Sequence, residues 1–191
     1  MRVLLLILTL LLPLLHGCST PLILATATAG GVAVAHDKRS AGNVIDDQII
    51  EANIYNNLHA EEQIKTQAHI NVTVYNGIVL LTGEAPTEVL RKQAEAVARE
   101  AKGVRRVYNE VVIAEPTTLA SRSYDTWLTT KVKTRLLKEE SVEGSQIKVI
   151  TENSTVFLMG LIDRAQAQRA TDLARNTGGV KMVVRAFEYT D

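Results

Sequence analysis

Ile70-Asn71-Val72-Thr73-Val74-Tyr75-Asn76-Gly77-Ile78-Val79-Leu80-Leu81-Thr82-Gly83 decides the fold, because its pattern returns between Ile147 and Gly160. In the first copy Ile70, Val72 and Val74 alternate with polar neighbours, Asn76-Gly77 supplies a turn, and an apolar run from Ile78 leads into Gly83. Asn-Gly favours the positive-φ turns that match strand twist, and period-two alternation marks a strand with one buried face, so the stretch predicts a hairpin. The second copy keeps Asn153 at the turn but puts Ser154 where the first has Gly77. Ser is less comfortable at positive φ, which costs some strain. The chain is a duplication.

The flanks repeat as well. Ile50, Ile54 and Leu58 answer to Leu128, Val132 and Leu136, and the spacing of four within each trio places it on one helix face. Ala-rich stretches at 87–102 and 163–177 predict second helices, closed by Gly103 and by Gly178-Gly179. The β-branched runs at 104–113 and 180–187 predict third strands. A helical crossover of roughly twenty residues suits a parallel pairing of strands two and three. The expected fold class is therefore α+β: two αββαβ domains, each a small three-stranded mixed sheet packed on two helices. The candidate cores are Ile50, Ile54, Leu58, Val72, Val79, Leu81 and Val97, and then Leu128, Val132, Leu136, Val149, Val156, Leu158 and Leu173.

The 191 residues carry no net charge, but residues 46–115 sum to −4 and residues 122–191 to +2. Neither half is basic enough for nucleic acid, and the asymmetry suggests different partners for the two faces.

Met1-Arg2 followed by an apolar core from Val3 to Leu15 is too short to span a bilayer comfortably and predicts a signal peptide over 1–17. Leu15-His16-Gly17-Cys18 resembles the lipobox of bacterial lipoproteins, in which cleavage precedes an acylated Cys, although His16 departs from the usual small or apolar residue. Cys18 is the only cysteine, so it has no disulfide partner within the chain. Acylation there is the expectation; the bland alternative is an incidental Cys beside an uncleaved segment. Ser19 after the Cys resembles the outer-membrane sorting pattern. Residues 21–35, apolar but broken by Gly30-Gly31, read as part of a tether over 18–45 rather than a spanning helix. The domains are expected at 46–115 and 123–191 with a linker at 116–122. Asp46-Asp47 is the expected cap of the first helix, and Ser123 or Asp125 that of the second domain.

Catalytic chemistry is not legible. His16, His36, His59 and His69 have no metal-ligand spacing with a Cys or carboxylate, no phosphate loop follows a strand, and no Ser sits in a nucleophile elbow. Gly83 and Gly160 read as tight strand-to-helix turns. The sequons at Asn71 and Asn153 are chance matches in a bacterial lipoprotein.

Val79-Leu80-Leu81-Thr82-Gly83, Gly103-Val104 and Val107-Tyr108-Asn109-Glu110, with Val156-Phe157-Leu158-Met159-Gly160 and Gly179-Val180 in the second copy, resemble the BON domain. Two such domains behind a lipobox, with Asp125-Thr126-Trp127-Leu128-Thr129-Thr130-Lys131-Val132 opening the second, resemble the dual BON-domain outer-membrane lipoproteins. The second copy departs from the first in having Arg185-Ala186-Phe187 where the Asn-Glu pair would stand. The resemblance implies phospholipid binding at a membrane surface, a part in envelope integrity and cell division, an outer-membrane anchor facing the periplasm, and neither catalysis nor a cofactor. A periplasmic scaffold that holds outer-membrane assembly or division-site proteins on its sheet faces, touching lipid only through its acyl anchor, is the alternative.

Comparing the first helices locates the lipid surface. With Leu128, Val132 and Leu136 facing the core, Trp127 points away, and Lys131, Thr134 and Lys138 share its stripe, with Thr130, Lys133, Arg135 and Leu137 nearby. The corresponding stripe of the first copy is Ile49, Asn53, Asn56 and Ala60. An off-core Trp beside lysines is the composition of a face for anionic phospholipid; the bland reading makes Trp127 a plug against the first domain or the linker.

Overall fold

The computed structural model describes residues 39–191. The expected signal peptide, Cys18 and the apolar part of the tether lie outside the described residues. The first domain consists of α1 (Ala41–Ala60), α2 (Glu62–Gln67), β1 (His69–Tyr75), β2 (Ile78–Ala85), α3 (Glu88–Glu100) and an edge in two pieces, β3 (Arg106–Asn109) and β4 (Val112–Ile113). The second consists of α4 (Leu119–Lys138), a 3-10 turn at Gly144–Gln146, β5 (Ile147–Glu152), β6 (Thr155–Ile162), α5 (Arg164–Arg175) and β7 (Met182–Tyr189). In each, the hairpin strands pair antiparallel and the last strand pairs parallel with the middle one. Asn76 and Gly77 turn at φ 51° and 70°, and Asn153 and Ser154 at 47° and 63°. The second hairpin thus accepts Ser in a conformation that favours glycine.

Each domain has its own core between helices and sheet. Ile54, Leu58, Val79 and Leu81 centre the first, and Leu128, Val132, Leu136, Val156 and Leu158 the second. Val72, Val97, Val149 and Leu173 pack against these cores while half-buried. A fully buried Leu or Ile contributes about 1.5–3 kcal/mol relative to exposure. Alanines complete the packing: Ala94 and Ala98 on α3, and Ala167, Ala170 and Ala174 on α5, let those helices lie close to the strands.

Three expectations are corrected. Asp47 and Asp125 cap nothing. α1 begins earlier, where the Ser40 hydroxyl accepts from the Asn43 N–H at 3.1 Å, and α4 begins inside the expected linker, where the Thr118 hydroxyl accepts from the Ser121 N–H. Both Asp residues lie mid-helix and buried, bound to the hairpin turns. Asp47 accepts from the Asn76 and Gly77 amides at 2.6 and 2.7 Å, and Asp125 from those of Asn153 and Ser154 at 2.9 and 2.8 Å. Secondly, Gly83 and Gly160 sit within their strands, where the middle strand meets the start of its hairpin partner. A Cβ on Gly83 would lie 2.0 Å from the His69 carbonyl oxygen, and one on Gly160 would lie 2.6 Å from that of Gln146.

Thirdly, the sheet faces are not free. The sides without helices pack on one another: Tyr75, Ile78 and Leu80 of the first sheet meet Phe157, Met159 and Ala186 of the second in a third apolar cluster. Polar contacts edge this seam: Asn71 donates to Glu152 at 2.8 Å, Asn76 to Glu188 at 2.6 Å, and Arg105 pairs with Glu188 at 2.8 Å. Each middle strand is therefore covered on both sides, which explains its unbroken apolar run. All the described residues belong to one compact unit. It carries its own cores, caps and seam, which is what a unit needs to fold by itself.

Candidate functional site

α4 is a 20-residue helix with two unlike sides. Leu128, Val132 and Leu136 are fully buried, and Trp127, about 100° or more around the helix from each of them, is 51% exposed. The Lys131 ammonium stands 4.8 Å from the centre of the indole and donates to the Gly178 carbonyl at 2.8 Å. A cation over an indole is attracted by the ring quadrupole, so Lys131 and Trp127 hold each other in place at the surface. Tyr124, one turn before, has its ring 5.4 Å from the indole and its hydroxyl against Gly179.

Of the other sequence-predicted residues, Thr130, Thr134, Leu137 and Lys138 are exposed. The Thr130 and Thr134 hydroxyls bond back to the Thr126 and Thr130 carbonyls. Leu137 is 57% exposed; Leu119, in line with it five helical turns earlier, is 78% exposed. Arg135 is exposed but tethered, donating to the Asn176 carbonyl at 2.8 Å. That loop closes α5, so Lys131 and Arg135 both satisfy carbonyls beyond a helix C-terminus, where positive charge is favoured.

Lys133 leaves the set. Its ammonium turns inward to the Gly144 and Ile147 carbonyls, and burial lowers its pKa. Helical angle alone put it near the stripe, but a four-carbon stem lets the charge follow the nearest carbonyls. Tyr124 and Leu119 were missed; the i,i+3 spacing of Tyr124 from Trp127 was the available signal. Tyr75, Phe157 and Met159 form the seam between the sheets, and the ring contacts of Trp127 are Tyr124 and Lys131.

The corresponding position in the first domain, Ile49, is also exposed, without an aromatic or a lysine beside it on α1. His59 is exposed and stacks on Tyr55 at 3.9 Å, while His69 is half-buried with its pKa lowered, by burial above all and by Arg122. Among the described residues, no three His, Cys, Asp or Glu gather to hold a metal, and no helix is long and apolar enough to cross a membrane.

This architecture, two αββαβ units each with an Asp-clamped hairpin, defines a tandem BON-domain protein. The BON-domain model matches residues 46–115 and 124–191, and the chain belongs to that family. It is 42% identical over 153 residues to the 21 kDa hemolysin of Actinobacillus pleuropneumoniae, covering 80% of this chain and 79% of that one. It is 38% identical over 177 residues to the outer membrane lipoprotein DolP of Haemophilus influenzae, covering 93% and 91%. Osmotically-inducible protein Y of Escherichia coli is 29% identical over 161 residues, covering 83% and 80%.

Proposed function

We propose that this chain is a non-enzymatic lipoprotein, anchored through Cys18 in the outer membrane on its periplasmic side, whose second BON domain lays the exposed face of α4 on anionic phospholipid and so supports envelope integrity and cell division. The observation that carries the reading is the half-exposed Trp127 with the Lys131 ammonium 4.8 Å from its ring. An indole at headgroup depth and lysines facing phosphates is interfacial chemistry. Each basic residue near an anionic surface contributes about 1 kcal/mol, which makes weak binding that is useful to a tethered protein. Likeness to an outer membrane lipoprotein over 93% of this chain supports the anchor.

Fragment 36–191, mixed with anionic and with zwitterionic vesicles, tests the reading. Trp127→Glu is expected to abolish binding to anionic vesicles while leaving thermal unfolding nearly unchanged, and Ile49→Glu to have no effect on binding. Loss of the fold in Trp127→Glu without a specific binding defect would sink it. The scaffold alternative, which called for open sheet faces, is the weaker of the two, because the helix-free sides cover one another.

A further inference from the structure

A cleft of about 460 Å³ is lined by residues of both domains, among them Tyr108 of β3 and Tyr189 of β7. Four arginines line it: Arg105 and Arg106 from β3 and the turn before it, Arg164 from the start of α5, and Arg185 from β7. Arg105 is neutralised by Glu188 at 2.8 Å. The other three form no ion pair among the described residues. The Arg106 guanidinium lies 5.9 Å from the centre of the Tyr108 ring and donates to its hydroxyl at 3.1 Å. Arg164 lies 4.3 Å over Tyr189, and Arg185 donates to the neutral Gln168 amide at 3.3 Å. Aromatic faces and an amide orient these guanidiniums without an ion pair, although Glu188 also feels the charge of Arg106. One acidic group besides Glu188 enters the cleft: the Asp191 carboxylate, which accepts from the backbone N–H of Arg164 at 3.2 Å in the first turn of α5.

We propose that this interdomain cleft is a second anion site, distinct from the face of α4, which takes a multiply charged phosphate compound between Arg106, Arg164 and Arg185. Three forked donors from three different elements match phosphoryl oxygens better than a lone carboxylate, because guanidinium presents paired N–H groups to paired oxygens. The flanking tyrosines give the cleft flat walls for the organic part of such a ligand. Two sources share this chemistry, the phosphomonoester headgroup of a lipid and a free phosphate ester. The proposal does not depend on the membrane reading, since no residue of α4 lines the cleft.

Fragment 36–191 is titrated with inorganic pyrophosphate in magnesium-free buffer, by calorimetry. A dissociation constant below about 1 mM, weakened at least tenfold in the double variant Arg106→Gln/Arg185→Gln and unchanged in Trp127→Glu, is the expected result. The substituted arginines are exposed, and circular dichroism checks that the variant keeps its fold. Dihexanoyl phosphatidic acid, below its micelle concentration, and glycerol 3-phosphate then separate the sources. Tighter binding of the lipid assigns a headgroup, and equal binding assigns a free ester; either supports the site if the double variant loses it. No measurable binding of pyrophosphate, equal binding by the double variant, or loss in Trp127→Glu would overturn the proposal.

Discussion

Asp47 and Asp125, at matching places in the two copies, show how much one side chain settles at the scale of the residue. Each reaches from mid-helix to both amides of a hairpin turn that runs at positive φ, so the helix and the hairpin are bolted together at the tightest point of the chain. The Gly77 and Ser154 amides, buried beneath their helices, have no water to bond, and leaving one unsatisfied costs about 1–3 kcal/mol. Asp125→Ala is therefore expected to lower the unfolding free energy by about 2–4 kcal/mol in urea with little change in the denaturant slope. Asp125→Asn, which keeps one acceptor, should cost less. Equal stability of the alanine variant would show that the clamp is dispensable. Both residues are legible in the sequence as a repeated acid one turn before Ile50 and Leu128, but short-range rules give an Asp near a helix start no use other than a cap.

At the scale of the element, α4 divides its cations between two tasks. Lys131 stays at the surface beside Trp127, while Lys133 is engaged by the Gly144 and Ile147 carbonyls under the helix. Lys133→Met removes a charged donor from two backbone acceptors and should destabilise the fragment by about 1.5–3 kcal/mol, with vesicle affinity intact. Lys131→Met should do the reverse, weakening binding to anionic vesicles by about fivefold, which is the loss of about 1 kcal/mol. Stability and vesicle titration on the same two variants check the division; a Lys133→Met that binds poorly yet stays stable would contradict it.

Over the whole molecule the seam between the sheets has an electrostatic cost. Desolvation at the seam raises the Glu152 pKa from its ordinary value; the Asn71 amide opposes the rise, the Glu84 and Asp125 carboxylates add to it, and Arg122 opposes it. The folded chain thus holds this proton more tightly than the unfolded chain. Ionised Glu152 costs stability at neutral pH, and that cost is relieved as pH falls through the raised folded value towards the usual one. Glu152→Gln keeps an acceptor for Asn71 and removes the charge. It should raise the melting temperature by about 2–4 °C at about pH 7, the response to roughly 1 kcal/mol in a chain of this size. The gain should vanish at about pH 4, where the native carboxyl is protonated. An unchanged melting temperature at neutral pH would show that the seam tolerates the charge.

The sequence by itself determined the duplication, the hairpins, the order of elements and the parallel closing strand, because these rest on the periods of strand and helix and on turn residues that act locally. It also determined which side of α4 carries Trp127, since helical angle follows from position. Only the tertiary structure decided what covers the far side of each sheet. The runs Ile78–Leu81 and Val156–Met159 are apolar throughout, the mark of strands buried on both faces, but a strand's composition does not say what lies on it. Folding also decided the destination of long charged side chains. Lys133 turned inward, and Arg106, Arg164 and Arg185, far apart along the chain, came to one cleft. The reason is physical: a guanidinium or ammonium on a flexible stem is placed by whichever ring, amide or carbonyl the packed neighbours bring within reach, and that neighbourhood exists only once the two sheets have met.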